Sequence, residues 1–95
     1  HLATATSYNN MGLSLRDLGR HEEELQHNQK ALEIYRKALG DDHPDTATGY
    51  NKMGFSLRNL SRHEEALQHS QKALEISSKA LGENHPTTAT SYNNM

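Results

Sequence analysis

Asn9, Leu13 and Arg16 stand at steps of four and three, and Asn51, Phe55 and Arg58 repeat the series 42 residues on. On a helix those steps place three side chains along one stripe. An asparagine amide carries both a donor and an acceptor, enough to pair with one peptide backbone unit. Arginine holds a carboxylate through two hydrogen bonds. Leu13 and Phe55 supply apolar contact between the polar ends. Asn10, Lys52, Asn93 and Asn94 extend the set, with Thr6, Asp17, Thr48, Asn59 and Thr90 beside it. The chemistry suits capture of a peptide or protein segment. These residues, Asn9, Asn10, Leu13, Arg16, Asn51, Lys52, Phe55, Arg58, Asn93 and Asn94, are the candidate partner-binding positions.

Other reactive side chains are explained more simply. His21 and His27 recur as His63 and His69. A spacing of six puts each pair on opposing sides of a helix, unlike the i, i+4 pair that chelates zinc. His43 and His85 precede prolines and read as helix caps. Glu22 and Glu23, and their copies Glu64 and Glu65, fall in a helix first turn, where the helix dipole accounts for them. There is no Ser-His-Asp set and no glycine-rich phosphate loop. The sequence therefore predicts no catalytic residue, no metal site, no cofactor and no enzyme.

The elements that position these residues come from a repeat. His1, His43 and His85 mark a period of 42 residues. Residues 1–42 and 43–84 align without a gap, with about 29 of 42 positions identical, and 85–95 open a third copy. A fixed period of this size signals a stacked array, here a single repeat domain over 1–95. Each unit reads as two helices. In the first copy, helix A runs from Ala3 to Leu18, with Tyr8, Met11, Gly12, Leu15 and Leu18 on its packing face. Gly12 predicts close approach of another helix, since mid-helix glycine costs about 1 kcal/mol against alanine. Helix B runs from about Glu22 to Leu39, with the stripe Leu25, Ala31, Leu32, Ile34, Ala38 and Leu39. Gly40 is placed as its C-cap, and Pro44 opens the next helix A. Tyr50, Met53, Gly54, Leu57 and Leu60, then Leu67, Ala73, Leu74, Ile76, Ala80 and Leu81, repeat the two stripes. Leu67 and Leu74 are expected to be the most costly to truncate. There is no valine, and no apolar alternation suggests a strand.

Composition narrows the function classes. Apolar residues make up 33% of the 95 and aromatics 5%. That is thin for a globular core but workable where each unit buries a stripe against its neighbours. It also predicts a piece of a longer array, because such arrays usually need about three units and polar caps. Net charge is −2, with signs interspersed, so no basic run points to nucleic acid or an anionic membrane. Protonating all seven histidines would carry the charge to about +5. No apolar run approaches a membrane span. The absence of cysteine removes disulfides and thiolate metal sites, and fits a reducing compartment such as the cytoplasm.

Tyr50-x2-Met53-Gly54-x2-Leu57, followed by the small residues Ala66 and Ala73, resembles the tetratricopeptide repeat. The usual period is 34. The longer unit here, with His43-Pro44-Asp45 before helix A and Lys72-Ala73-Leu74-Glu75-Ile76 in helix B, resembles the repeats of kinesin light chains. The resemblance spans the chain. It implies an all-α, right-handed solenoid of antiparallel helix pairs whose A helices line a concave face. It also implies a non-catalytic scaffold that binds extended or helical peptide segments there. With helices about 8–10 Å apart and an extended peptide rising about 3.3 Å per residue, each unit would read roughly three residues.

Two departures stand out. Asn28 and Ser70 replace the large aromatic of helix B, and Glu24 stands where the second copy has Ala66. Glu24 is expected either at an exposed end or against a subunit partner. A second functional reading is self-assembly into a homodimer or larger oligomer, through exposed repeat edges or helix exchange.

Overall fold

The computed structural model describes residues 2–94, which form five helices joined by short turns. They are α1 (Leu2–Asp17), α2 (His21–Leu39), α3 (Pro44–Asn59), α4 (His63–Ala80) and α5 (Pro86–Asn94). No strand occurs among the described residues. The expected helices are all present. His1 and Met95 lie outside the described residues.

The helix pairs close tightly because their facing residues are small. A Cβ added at Gly12 would sit 2.5 Å from the Asn28 Oδ1, and one at Gly54 would sit 2.6 Å from the Ser70 Oγ. The polar residues that replace the large aromatic of helix B thus fill the space left by a glycine on helix A. The α1–α2 turn uses Gly19 at φ +74°. Its copy uses Ser61 at φ +60°, a left-handed conformation that costs a side chain about 1–2 kcal/mol. Both turns close alike: the Arg20 N–H donates to the Leu15 carbonyl at 2.8 Å, and Arg62 to Leu57 at 2.9 Å.

Each unit joins the next through a histidine cap. The His43 Nδ1 accepts from the Asp45 N–H at 3.0 Å, and the Thr46 hydroxyl donates back to the Gly40 carbonyl at 2.7 Å. His85, Thr87, Thr88 and Gly82 repeat the arrangement at 3.1 and 2.8 Å. These histidines are caps, as their place before proline predicts.

The core runs through the middle of the stack: Leu25 and Leu32 of α2, Ala47, Tyr50, Met53 and Leu57 of α3, and Ala66, Ala73 and Ile76 of α4. Several expected core residues lie outside it. Met11 and Leu18 of α1 are exposed, as are Ala38 and Ala80 at the ends of the B helices. Leu67 is 42% exposed although its copy Leu25 is only 7% exposed. The cause is coverage. α3 lies over Leu25, whereas no described helix lies over Leu67. Leu74 is half-buried.

Glu24 departs most from expectation. It is 2% exposed and faces neither solvent nor a second subunit. Its Oε2 accepts from the Ser56 hydroxyl of α3 at 2.8 Å, and its Oε1 lies 2.9 Å from the His21 Nδ1. The Asn28 amide donates to the same Ser56 oxygen at 2.9 Å. A buried carboxylate without donors is costly. Here two partners converge on it, and the polar chain ties the first unit to the second.

Candidate functional site

Helices α1, α3 and α5 share one face of the stack and border a groove of about 320 Å³. Arg16 closes it on the α1 side. Thr48, Asn51, Lys52 and Phe55 come from α3, and Pro86, Thr87, Thr90 and Asn94 from α5. Every unit contributes through its first helix, because the four- and three-residue steps keep those side chains on one stripe.

The groove is organised around Phe55. The guanidinium carbon of Arg16 lies 5.2 Å from the ring centroid, and that of Arg58 lies 5.4 Å away. Such stacking draws on the negative face of the ring and holds the guanidinium planes in place. Lys52 lies one turn before Phe55. Burial pushes its ammonium below the usual lysine range, Arg16 lowers it further, and Glu24 partly offsets this. Arg16 approaches Asp17 at 3.9 Å, and among the described residues no ion pair holds Lys52 or Arg58. Two guanidiniums therefore share one aromatic ring, with Lys52 lining the same groove and little neutralisation.

A second, smaller space of about 40 Å³ opens between α1 and α3. Leu13, Arg16, Lys52 and Phe55 form its mouth, and Glu24 and Asn28 its floor. It exists because the first helices are unequally spaced. No Cα of α1 comes within 8 Å of α3, while α3 and α5 do approach to that distance. The closer junction has a specific bond: the Ser91 hydroxyl donates to the Asn51 Oδ1 at 2.8 Å. One unit earlier the corresponding residues are Asn9 and Gly49, and the buried Asn9 Oδ1 has no partner.

The candidate positions thus divide. Asn10, Arg16, Arg58 and Asn93 are exposed, Leu13 is exposed at the smaller opening, and Lys52 and Phe55 are half-buried in the groove. Asn94 is half-buried and donates to the Asn51 carbonyl at 3.2 Å. Asn9 donates to the Tyr35 hydroxyl at 3.3 Å. Asn51 borders the groove but is 5% exposed, with its amide engaged by Ser91 and by the Thr87 carbonyl at 3.3 Å. Its amide is occupied in joining α3 to α5. Sequence reasoning missed Thr87, Pro86 and Glu24 as contributors. The recurrence of His-Pro-x-Thr at both joints was the available signal for Pro86; Thr87 occupies the variable position of that motif, where the earlier joint has Asp45.

His27 and His69 each hydrogen-bond a main-chain carbonyl four residues back, at 2.9 and 2.8 Å. Among the described residues no three His, Asp or Glu side chains converge as a metal site requires. No described helix is long and apolar enough to cross a membrane.

A periodic stack of antiparallel helix pairs, with first helices sharing a face, defines a helical-repeat protein. Two profiles of one family, both described as tetratricopeptide repeat, match residues 4–45 and 45–95. The chain belongs to the tetratricopeptide-repeat family. Repeats of this family generally mediate protein–protein interaction. No curated protein matches the chain.

Proposed function

We propose that the chain is a non-catalytic scaffold that binds a peptide or protein segment along the concave face of its first helices. The observation that carries this reading is Phe55 with the guanidiniums of both Arg16 and Arg58 against its ring, and the partly desolvated cation of Lys52 lining the same groove. Guanidiniums stacked on a ring keep their N–H groups free for bidentate pairing with carboxylates. The segment that fits carries an acidic side chain next to an apolar one. Asn10 and Asn93, both exposed, supply amides for its backbone. The long unit with His43-Pro44-Asp45 supports, by likeness to kinesin light chains, a cargo-adaptor partner in the cytoplasm.

The test is an array of ten-residue peptides of varied charge, followed by fluorescence anisotropy on the best binder. Arg16→Ala, Phe55→Ala and Arg58→Ala are each expected to weaken binding about tenfold or more, with helicity by circular dichroism unchanged. Binding that ignores all three, or that prefers basic peptides, overturns the reading.

Self-association is the second reading. It is favoured by Met11, Leu18 and Leu67, apolar side chains turned outward on opposite ends of the stack. A solution mass that stays at one chain at every concentration overturns it.

A further inference from the structure

Neutral side chains of the groove are mostly engaged already. The Thr48 hydroxyl donates to the Pro44 carbonyl at 3.4 Å and the Thr90 hydroxyl to the Pro86 carbonyl at 3.0 Å, each four residues back in its own helix. The Asn51 amide donates to the Thr87 carbonyl and the Asn94 amide to the Asn51 carbonyl. What the groove offers a ligand is then chiefly charge, and of one sign. Arg16 and Lys52 line it, and no acidic side chain does.

The two cations come from α1 and α3 and meet at the internal joint of the stack, where both also border the smaller space. The Arg16 guanidinium rests on the Phe55 ring at 5.2 Å, which leaves its N–H edge for a ligand. Its contact with the exposed Asp17 is 3.9 Å long, and among the described residues no ion pair holds Lys52. Each cation disfavours the other, and burial adds to this at Lys52. Like charges gathered in a groove mark a site for an anion.

The number of charges selects the anion. A carboxylate has one charge and two oxygens, and a single guanidinium saturates it. Lys52 would then stay uncompensated. A phosphorylated serine or threonine carries about −1.5 to −2 at neutral pH and three acceptor oxygens. Two of them can meet the Arg16 fork and the third the Lys52 ammonium. Glu24 lies at the floor of the smaller space, bonded by Ser56, and its charge keeps a phosphate in the groove above. Phe55 and Pro86 leave an apolar wall for the next residue. A nucleic-acid backbone asks for a row of cations, whereas two stand here, on a chain of net charge −2.

We propose that Arg16 and Lys52 clamp the phosphate of a phosphoserine or phosphothreonine in the bound peptide, with an apolar neighbour against Phe55 and Pro86. This rests on the peptide-binding reading above and names its ligand.

The experiment is fluorescence anisotropy on the best peptide of the array, made in three forms with serine, glutamate or phosphoserine at its acidic position. The phosphoserine form is expected to bind about tenfold tighter than the glutamate form or better. Lys52→Gln is expected to bring that ratio close to one, and Lys52→Arg to keep it. Arg36→Gln removes a cation paired with Asp41, outside the groove, and is expected to leave the ratio unchanged. Circular dichroism checks helicity throughout. If glutamate binds and phosphoserine binds no better, the phosphate clamp is overturned and the peptide reading stands. If no form binds, both fall. A ratio that survives Lys52→Gln, or that drops equally in Arg36→Gln, also overturns the clamp. So does a single-stranded oligonucleotide that displaces the phosphopeptide as well as its unlabelled copy does.

Discussion

The Ser56 hydroxyl donates to the buried Glu24 carboxylate at 2.8 Å, joining two residues 32 positions apart on different repeats. Ser56→Ala removes the hydroxyl donor to this carboxylate and leaves the His21 ring as its other side-chain partner. It is expected to lower stability by about 1–3 kcal/mol. In a Glu24→Ala background the same change is expected to cost less, because no buried charge is left short. Urea unfolding of the four members of this cycle reads the coupling directly. Equal costs in both backgrounds would show that the contact does not hold the units together.

Leu57 is 1% exposed at the centre of the core, and Leu67 is 42% exposed at its edge. Leu57→Ala is expected to cost about 2–5 kcal/mol, and Leu67→Ala about 1 kcal/mol or less. Thermal unfolding of the two at a concentration where the chain is monomeric should separate them clearly. A larger loss at Leu67 would place the core elsewhere.

Ser61 holds φ at +60° where the first unit uses Gly19. Ser61→Gly relieves that strain but enlarges the freedom of the unfolded chain, leaving a net gain of about 0.5 kcal/mol. Gly19→Ser is expected to lose a comparable amount. The shift in urea midpoint checks both.

Lys52 is charged in a setting that disfavours its charge, through burial first and Arg16 second. Its proton is held less tightly folded than unfolded, so stability should rise as pH climbs through its titration, which lies below the usual lysine range. Lys52→Gln is expected to keep or raise the urea midpoint at neutral pH and to flatten that rise. It should also weaken an acidic peptide. A variant less stable than the parent at neutral pH would mean that Lys52 is held by Glu24 more than it is repelled by Arg16.

What the sequence made legible was local. The five helices, the histidine caps before Pro44 and Pro86, and the close approach at Gly12 all follow from spacing within a unit. What it concealed was set by which helix covers which residue. Leu25 and Leu67 sit in nearly the same local sequence, yet only Leu25 has α3 above it. Glu24 looked misplaced until Ser56 came beside it from the following repeat. Asn51 has the composition of a ligand-reading residue, and Ser91, 40 positions on, occupies it instead.

The polar chain at the first junction also imposes a grammar on lengthening this molecule. Adding another copy of the second unit, with Ala66 and Ser70, inserts no buried carboxylate. Adding another copy of the first inserts one each time, and each needs a serine in the helix that follows. Ser14 and Ser56 meet that condition in both existing units, so either unit can be inherited in any order so long as that serine travels with it.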